Sequence, residues 1–318
     1  MSHKPAILVF GYHDVGYECL SALIERSEKI VAVITHEDNS SEEIWFQSVA
    51  ALAKRHNIPV FMPSSINQTD WVARVRAFKP DLIFSFYYRN MLSSEILKSA
   101  RLGAFNMHGS LLPKYRGRAP INWAVLHGES QTGATLHHMI ARADAGDIVD
   151  QEPVPIGPQD TARDVFVNVT HAARRLLARN LDALKHGVAP RRQQDESQAT
   201  YFGGRRPEDG CIDWRRSAGE IFNLIRAVAH PYPGAFTEIQ GRRLIIWWAQ
   251  PLPEGGGVPG EVLSIAPLRI AAGKGSLEAL RLQWQGQAEA AGNSSNLVCG
   301  QIFDSTAAGR RKLDINVS

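Results

Sequence analysis

Short runs of apolar, mostly β-branched residues alternate with helix-like stretches over the first ninety residues. Residues 6–10 (AILVF) and 30–35 (IVAVIT) are two such runs, and the stretch 20–24 between them has helical spacing. The pattern then predicts a helix from about Glu42 to Arg55, a strand at 60–62, a helix over 71–78 and a buried strand over 82–86. This alternation predicts an α/β fold with a mostly parallel, doubly wound sheet that is covered on both faces.

The second half of the chain has a different pattern. A long helix with a core-facing apolar stripe is predicted from about Thr161 to His186, and a shorter helix from about Ser217 to Ala229. Short strands follow, at 235–239, 243–249, 261–266 and 277–284. We therefore expect a catalytic domain over 1–189, a polar linker over 190–206, a small β domain over 207–290 and a partly disordered tail over 291–318.

The composition is that of an ordinary soluble globular protein. The chain has 318 residues, of which 44% are hydrophobic and 21% are charged, and a net charge of only +3 argues against a broad nucleic-acid-binding surface. No basic and apolar leader begins at Met1, and no apolar run approaches the roughly 18 residues that span a bilayer. We therefore expect a cytoplasmic protein without a membrane span.

Neither the cysteines nor the glycines indicate a common cofactor. Cys19, Cys211 and Cys299 are odd in number and far apart, which disfavours both a disulfide framework and a zinc site. Gly11 and Gly16 follow the first strand, but they do not form the Gly-x-Gly-x-x-Gly fingerprint, and no Walker lysine follows. The sequence thus excludes NAD and ATP as expected cofactors.

Residues suited to chemistry are concentrated between Asn106 and Gly117 (NMHGSLLPKYRG). His108 can exchange a proton near pH 7, and the amide of Asn106, two residues earlier on the same strand face, can stabilise an oxyanion. Asp144, in a loop bounded by glycine, is a candidate for setting the position and charge of His108. Either His108 or Asp144 alone is also compatible with an ordinary strand-end histidine or turn acid, but together the three predict an acyl-transfer site.

The stretch from Phe105 to Pro120, together with 133–139 and 143–148, resembles the formyltransferases that use 10-formyltetrahydrofolate. The shared pattern is Asn-x-His, then Ser-Leu-Leu-Pro-Lys-x-Arg-Gly, then a downstream Asp-x-Gly, and the resemblance extends to about Gln285. Within this family, the motifs are most similar to the branch that formylates UDP-4-amino-4-deoxy-L-arabinose in polymyxin resistance. The motifs that indicate this branch are FGYHDVG (10–16), FSFYYR (84–89), HGS (108–110) and KYRGRAPINW (114–123).

The resemblance implies both a fold and a reaction. The fold would be a Rossmann-like formyltransferase sheet followed by an open β-barrel like the oligonucleotide-binding (OB) fold. The enzyme would transfer a formyl group from 10-formyltetrahydrofolate, a co-substrate, to the amine of the sugar nucleotide, a step in lipid A modification that needs no metal. His108 would move a proton, Asn106 would donate to the developing oxyanion, and Asp144 would hold His108 in position.

The same resemblance implies a folate site, whose main-chain groups would meet the pterin edge. It falls on Asn90, Met91, Leu92, Arg118, Ile140, Ala141, Arg142, Ala143 and Asp144. Tyr115 and Arg116 would either serve the sugar nucleotide or brace their loop. His137 and His138 are adjacent and point to opposite faces of a strand, and we interpret both as structural. The match gives His13 no role.

The acceptor is the open question, because family members formylate amino sugars, glycinamide ribonucleotide or methionyl-tRNA. A tRNA acceptor needs basic phosphate contacts, whereas the loop after the second strand, 35–43 (THEDNSSEE), is acidic. Gly109 and Tyr115 also favour the sugar-nucleotide branch. UDP-4-amino-4-deoxy-L-arabinose is therefore expected first, another nucleotide-linked amino sugar second and methionyl-tRNA third. A catalytically silent folate or nucleotide-sugar binder is disfavoured by the intact catalytic residues.

The most similar branch of the family carries one further expectation. Its members often continue into a dehydrogenase/decarboxylase domain, for which this chain, ending at Ser318, has no room. We therefore expect no oxidative decarboxylation by this chain and a separate dehydrogenase/decarboxylase in the pathway. The sequence leaves the oligomeric state open, a homo-oligomer included.

Overall fold

The computed structural model describes residues 4–39, 43–292 and 296–304. Within them, the N-terminal part forms a seven-stranded sheet in the order β3-β2-β1-β4-β5-β7-β8. The strands up to the loop 109–119, called the catalytic loop because the sequence predicts chemistry beside it, are β1 (Ala6–Gly11), β2 (Lys29–Ile34), β3 (Val60–Phe61), β4 (Leu82–Phe86) and β5 (Gly103–His108). These five strands are parallel, as the βαβ pattern predicts. By contrast, β7 pairs antiparallel with both of its neighbours, β5 and β8. The mostly parallel, doubly wound sheet is confirmed.

The remaining elements of this part include a two-residue strand in the catalytic loop. The strands are β6 (Arg116–Gly117), β7 (Gln131–His138) and β8 (Ile148–Pro155). The helices are α1 (His13–Glu25), α2 (Val49–Arg55), α3 (Thr69–Ala77), α4 (Ser94–Leu97), α5 (Pro120–Leu126) and α6 (Ala162–Lys185). Helices α1 and α6 contribute to a large hydrophobic cluster on one face of the sheet, and α3 and α4 to a smaller cluster on the other. The sheet is thus covered on both faces.

Helix boundaries follow the local capping chemistry. Helix α6 matches the predicted helix closely, and it begins with a capping box in which Thr161 and Asp164 bond each other's backbone N–H. Helix α2 is shorter than predicted, because it begins only at Val49, where the Ser48 hydroxyl caps the helix. The residues before it are not helical, and Phe46 stacks on the side chain of His13 instead.

The C-terminal part is an antiparallel sheet in the order β10-β11-β14-β13-β12, with β15 paired to β14. Its elements are α7 (Ala218–Val228), β10 (Ala235–Ile239), β11 (Arg242–Leu252), β12 (Val262–Ile265), β13 (Leu268–Ala271), β14 (Ser276–Trp284) and β15 (Ala290–Ala291). The amphipathic helix α7 packs on β11. The small β domain expected from the sequence is confirmed.

Part of the expected tail is built into this sheet. Asp304 bridges to Glu238 in β10, and Ile302 bridges to Glu261 beside β12, so this segment connects the two edges of the open sheet. Phe303 is buried against Trp214. Residues 296–304 thus pack on this sheet, whereas the partly disordered tail expected over 291–318 stays a prediction, since 293–295 and 305–318 lie outside the described residues.

The polar segment 190–206 is more than a connection. Its strand β9 (Tyr201–Phe202) pairs in parallel with β6 of the catalytic loop. Gln194 is buried although it lies in a polar stretch. The segment therefore forms part of the wall around the catalytic loop. In the chain as described, no helix is both long and apolar enough to cross a membrane.

Candidate active site

Strand β5 carries two of the residues expected to do chemistry. Side chains alternate along a strand, so Asn106 and His108 share one face while Phe105 and Met107 share the other. Phe105 and Met107 belong to the larger hydrophobic cluster, whereas Ala104, on the face of Asn106, belongs to the smaller one. Asn106 and His108 therefore project from the face that α3 and α4 cover.

Four polar side chains meet on this face. Asp144 Oδ1 lies 3.4 Å from Asn106 Nδ2, 3.6 Å from His108 Nδ1 and 3.5 Å from His137 Nε2. The side chains of His108 and Asp144 are only 7% and 14% exposed, so water screens their interaction little. The structure thus brings together the three residues that the sequence predicts to be catalytic, and His137 lies beside them.

The proton arrangement of His108 follows from its neighbours. His108 Nε2 lies 2.8 Å from the carbonyl oxygen of Tyr115. A carbonyl oxygen only accepts, so Nε2 carries a proton and donates it. The nitrogen that remains for proton exchange is Nδ1, which faces Asp144. The bond at Nε2 therefore fixes the ring, whereas Nδ1 can accept a proton.

Asp144 is held as a carboxylate in a constrained backbone conformation. Its φ of +52° lies in the left-handed region, and its Oδ2 accepts the N–H of Gly117 at 2.9 Å. Burial alone would raise the pKa of Asp144, but the charge interaction with His108 and the hydrogen bond from Gly117 outweigh burial and hold this pKa well below its usual range. Asp144 is therefore ionised at neutral pH and can stabilise a proton on His108.

His137, which the sequence analysis interprets as structural, lies beside Asn106 and Asp144 in this cluster. Its Nδ1 donates to the carbonyl of His138 at 2.9 Å, so its Nε2 can accept from Asn106 Nδ2 at 3.1 Å. The cause is the antiparallel pairing of β7 with β5, which puts His137 directly beside Asn106. His138 points to the other face and bonds the carbonyl of Pro190, as a structural residue would.

The amide of Asn106 is already engaged in this arrangement. One N–H is directed at His137, and the other faces Asp144 across the longer distance of 3.4 Å. A hydrogen bond at this length is weak. The N–H that faces Asp144 is therefore the more weakly held of the two.

The two loops expected to contact folate reach the catalytic face. Leu92 is buried in the smaller cluster, and Met139, at the start of the second loop, packs against the same cluster. Asn90 and Met91 are exposed, and the Met91 carbonyl accepts a hydrogen bond from the Asn67 side chain. The expected loops thus share the sheet face that carries Asn106 and His108.

The other expected folate residues lie on both sides of Asp144. Ile140 and Ala141 are exposed, and Ala143 is half-buried. Arg142 forms an ion pair with Glu196 at 3.0 Å. Arg118 is exposed, and its backbone N–H donates to the carbonyl of Phe202. Of these residues only Arg118 and Arg142 present a positive charge near the catalytic loop.

Tyr115 and Arg116 brace the catalytic loop, one of the two roles left open for them. The Tyr115 hydroxyl donates to Glu129 at 2.7 Å, and its ring stacks on Phe202. Arg116 is fully buried and forms an ion pair with Glu196 at 2.7 Å. Both side chains are thus held by protein groups around the loop.

A cavity of about 190 Å³ lies at the carboxyl ends of β1 and β2. The Tyr12 hydroxyl, in its wall, donates to Asp38 at 3.0 Å. His36, also in the wall, stacks on Tyr88 and accepts the backbone N–H of Arg89. Burial, together with the charge of Arg89, lowers the pKa of His36 to about 4, so its ring is neutral at pH 7. The sequence shows only that the loop after β2 is acidic, and it gives no sign of the cavity.

No cluster of three or more His, Cys, Asp or Glu side chains in the described ranges is arranged to hold a metal ion. The catalytic cluster itself contains one carboxylate, an amide and two imidazoles, and every one of these groups has a hydrogen-bond or charge partner inside the protein. This set can bind an oxyanion and exchange a proton, which are the requirements of acyl transfer.

Solved structures with the same fold include enzymes that act on amino sugars. An N-formyltransferase from Helicobacter canadensis, in complex with folinic acid and dTDP-3-aminofucose, has a TM-score of 0.67 at 22% identity over 86% of this chain and 98% of its own. WlaRD, a sugar 3N-formyl transferase solved with dTDP and 5-N-formyl-THF, has a TM-score of 0.67 at 20% identity over 90% of this chain and 100% of its own.

A longer protein shares the fold as well. HypX from Aquifex aeolicus, in complex with tetrahydrofolic acid, has a TM-score of 0.63 at 19% identity over 92% of this chain, which spans only 46% of HypX. Two family models match the sequence itself, namely Formyl transferase over residues 3–181 and Formyl transferase, C-terminal domain, over residues 205–296. The first match alone covers more than half of the chain and contains the whole polar cluster. The chain therefore belongs to the formyl transferase family.

Proposed function

We propose that this formyltransferase transfers the formyl group of 10-formyltetrahydrofolate to the 4-amine of UDP-4-amino-4-deoxy-L-arabinose. The observation that carries the proposal is the cluster of Asn106, His108 and Asp144 on the sheet face that the two folate loops share. The choice of acceptor rests on the motifs shared with the branch of the family that modifies this sugar nucleotide.

In the proposed reaction, the neutral amine nitrogen bonds to the formyl carbon and the bond from that carbon to N10 of the folate breaks. The amine loses one proton and N10 gains one, so no other reactant is needed. His108 Nδ1 carries this proton between the two nitrogens, and ionised Asp144, at 3.6 Å, stabilises the protonated ring. An N–H of Asn106 stabilises the oxyanion of the tetrahedral intermediate.

We assign the folate to the loops at Asn90–Leu92 and Ile140–Asp144, with Arg118 as a further contact. Exposed backbone at Asn90 and Ile140 is available to the polar edge of a pterin, and the buried side chain of Leu92 anchors its loop in the smaller cluster. The relatives with bound folate derivatives support a folate as the donor.

We assign the acceptor nucleotide to the side of the cavity at the ends of β1 and β2. Tyr12 and His36 offer ring surfaces there, and Asp38 and Tyr12 offer hydrogen-bonding groups that can recognise a pyrimidine base or a ribose. Ligands of open α/β sheets gather beyond the carboxyl ends of the strands, where both this cavity and His108 lie.

A second candidate acceptor is another nucleotide-linked amino sugar. Two structures that this chain matches over 98% and 100% of their own length were solved with a dTDP-linked amino sugar or dTDP, which favours the class without fixing the sugar or the base. Methionyl-tRNA is disfavoured, because the described part of the loop after β2 carries Glu37, Asp38 and Glu43 where a tRNA would need basic residues.

We place the reaction in the cytoplasm, in the modification of lipid A that confers polymyxin resistance, with a separate dehydrogenase/decarboxylase acting on the same sugar nucleotide. This placement rests on the proposed acceptor alone. It stands only if the acceptor assay below selects that compound.

The proposal is tested by following tetrahydrofolate release from 10-formyltetrahydrofolate with three acceptors offered separately. These are UDP-4-amino-4-deoxy-L-arabinose, a dTDP-linked 3-amino sugar and methionyl-tRNA. We expect turnover with the UDP sugar to exceed the others, and no turnover with UDP-arabinose, which lacks the amine. Preference for the dTDP sugar would select the second candidate, and turnover with tRNA alone would overturn the sugar-nucleotide assignment.

A further inference from the structure

Gln194 connects the loop of Arg116 to the loop of Asp144, although it lies in the segment expected to be a linker. Its carboxamide N–H groups donate to the main-chain carbonyls of Asp144 at 2.8 Å and of Gly146 at 2.7 Å. Its carboxamide oxygen accepts from Arg116 Nε at 3.1 Å and from the terminal nitrogen of Arg116 at 2.7 Å. Gln194 is only 5% exposed, so water offers these groups no substitute partner.

The loop that Gln194 holds is one that needs to be held. Asp144 has a positive φ, a backbone conformation that residues other than glycine adopt only rarely. Two residues later, a side chain at Gly146 would clash with the carbonyl of His138, because a Cβ there would lie 1.9 Å from that oxygen. Gln194 therefore fixes the strained backbone of Asp144 by bonding the main-chain oxygen of that residue.

The other end of the carboxamide is equally well anchored. Arg116 is fully buried, and its ion pair with Glu196 at 2.7 Å fixes the guanidinium. The residue after Arg116 is Gly117, whose N–H donates to Asp144 Oδ2 at 2.9 Å. The residue before it is Tyr115, whose carbonyl orients His108. Gln194 thus joins the loop whose Tyr115 carbonyl orients His108 to the loop that carries Asp144.

We propose that Gln194 is a positioning residue for formyl transfer, which sets the distance between Asp144 and His108. This role rests on the formyl-transfer function proposed above. Only a side chain with both an acceptor and a two-hydrogen donor satisfies Arg116 on one side and two carbonyls on the other. Glutamate at this position would keep the bond to Arg116 but turn a carboxylate oxygen toward the two carbonyls.

The test compares Gln194→Glu and Gln194→Leu with Gln193→Ala, a control at the adjacent exposed glutamine. Misplacing a catalytic group by about 1 Å can cost on the order of 100-fold in rate. We expect a loss of that size in kcat for both Gln194 variants, little change in KM for either substrate, and unchanged kinetics for Gln193→Ala. A role in stability alone would lower Tm without this separation of kcat from KM.

Hydrogen exchange at the Gly117 amide gives a second readout that needs no activity. Because this N–H bonds Asp144, we expect faster exchange in the Gln194 variants while the amides of β1 keep their protection. Wild-type kcat in Gln194→Glu, or unchanged Gly117 exchange in that variant, would overturn the proposal. If Gln194→Leu does not fold, Gln194→Glu, which has the shape of the native side chain, decides. If wild-type protein formylates no acceptor, the proposed function fails, and the exchange measurement still tests the connection.

Discussion

The catalytic cluster and the cavity beside Tyr12 lie along one edge of the same sheet, but they are built differently. In the cluster, the strained backbone of Asp144 and the rings of His108 and His137 are fixed by contacts from three chain segments. In the cavity wall, ring stacking and the hydrogen bonds of Tyr12 and His36 border an open volume. Under the proposed function, this difference means that the reacting groups are positioned before substrate binds, whereas the acceptor is recognised by a concave and more open surface.

The largest expected effect is the loss of His108. A positioned general acid/base contributes about 100- to 10,000-fold to a rate. We expect His108→Ala to lower kcat by about 1000-fold or more with little change in KM for the donor, measured by tetrahydrofolate release. Retention of more than a tenth of the activity would contradict a role of His108 in proton transfer. The cluster would then not be the place where the chemistry occurs.

The next effect concerns the partners of Asp144. Removing one oxyanion donor costs on the order of 100-fold, so we expect Asn106→Ala to lower kcat by that amount. We expect His137→Phe to cost less, about tenfold, because it removes a hydrogen-bond partner of Asn106 rather than a reacting group. His138→Phe is the matched control on the opposite face. Equal losses for the two histidine variants would contradict the assignment of His137 to the cluster.

A smaller and different effect is expected at the cavity. Tyr12→Phe keeps the ring and removes the hydroxyl that bonds Asp38. A lost hydrogen bond of about 1 kcal/mol corresponds to roughly fivefold in affinity. We expect KM for the sugar nucleotide to rise by that factor, with kcat and the KM of the folate unchanged. A rise in the folate KM instead would place the folate, and not the acceptor, in this cavity.

The smallest effect is one of stability against pH. His36 has its pKa lowered to about 4 in the folded chain, from an ordinary value of 6.5, so the unfolded chain binds more protons between these values. The stability of the folded chain therefore falls as the pH drops from about 6.5 toward 4. We expect the Tm of His36→Gln to fall less over that range than the Tm of wild type. The control is His56→Gln, at an exposed histidine. Parallel Tm curves for wild type and His36→Gln would contradict this explanation.

The sequence predicted those parts of the site that follow from local rules. Alternation along a strand puts Asn106 and His108 on one face, and the family motif adds Asp144. His137 could not be found in this way, because its place beside Asn106 depends on the antiparallel register of β7 with β5. Gln194 was missed for a related reason, since a glutamine in a polar, basic stretch is typical of a solvated linker until the partners of Arg116 are known.

The fold shows the same division between local and long-range information. The boundaries of α6 were predicted closely, since its apolar period and capping residues are all local. The start of α2 was not, because Phe46 stacks on His13 rather than extending the helix. Likewise, Phe303 is buried only because β10 and the segment before β12 leave a gap that its segment crosses.

The most direct test of the central claim is to follow a 13C-labelled formyl group from 10-formyltetrahydrofolate by NMR, with UDP-4-amino-4-deoxy-L-arabinose as acceptor. We expect a formamide carbon signal on the sugar 4-amine with wild-type protein and none with His108→Ala at equal enzyme concentration. No transfer to the sugar by wild-type protein, or equal transfer by the variant, would contradict the central claim.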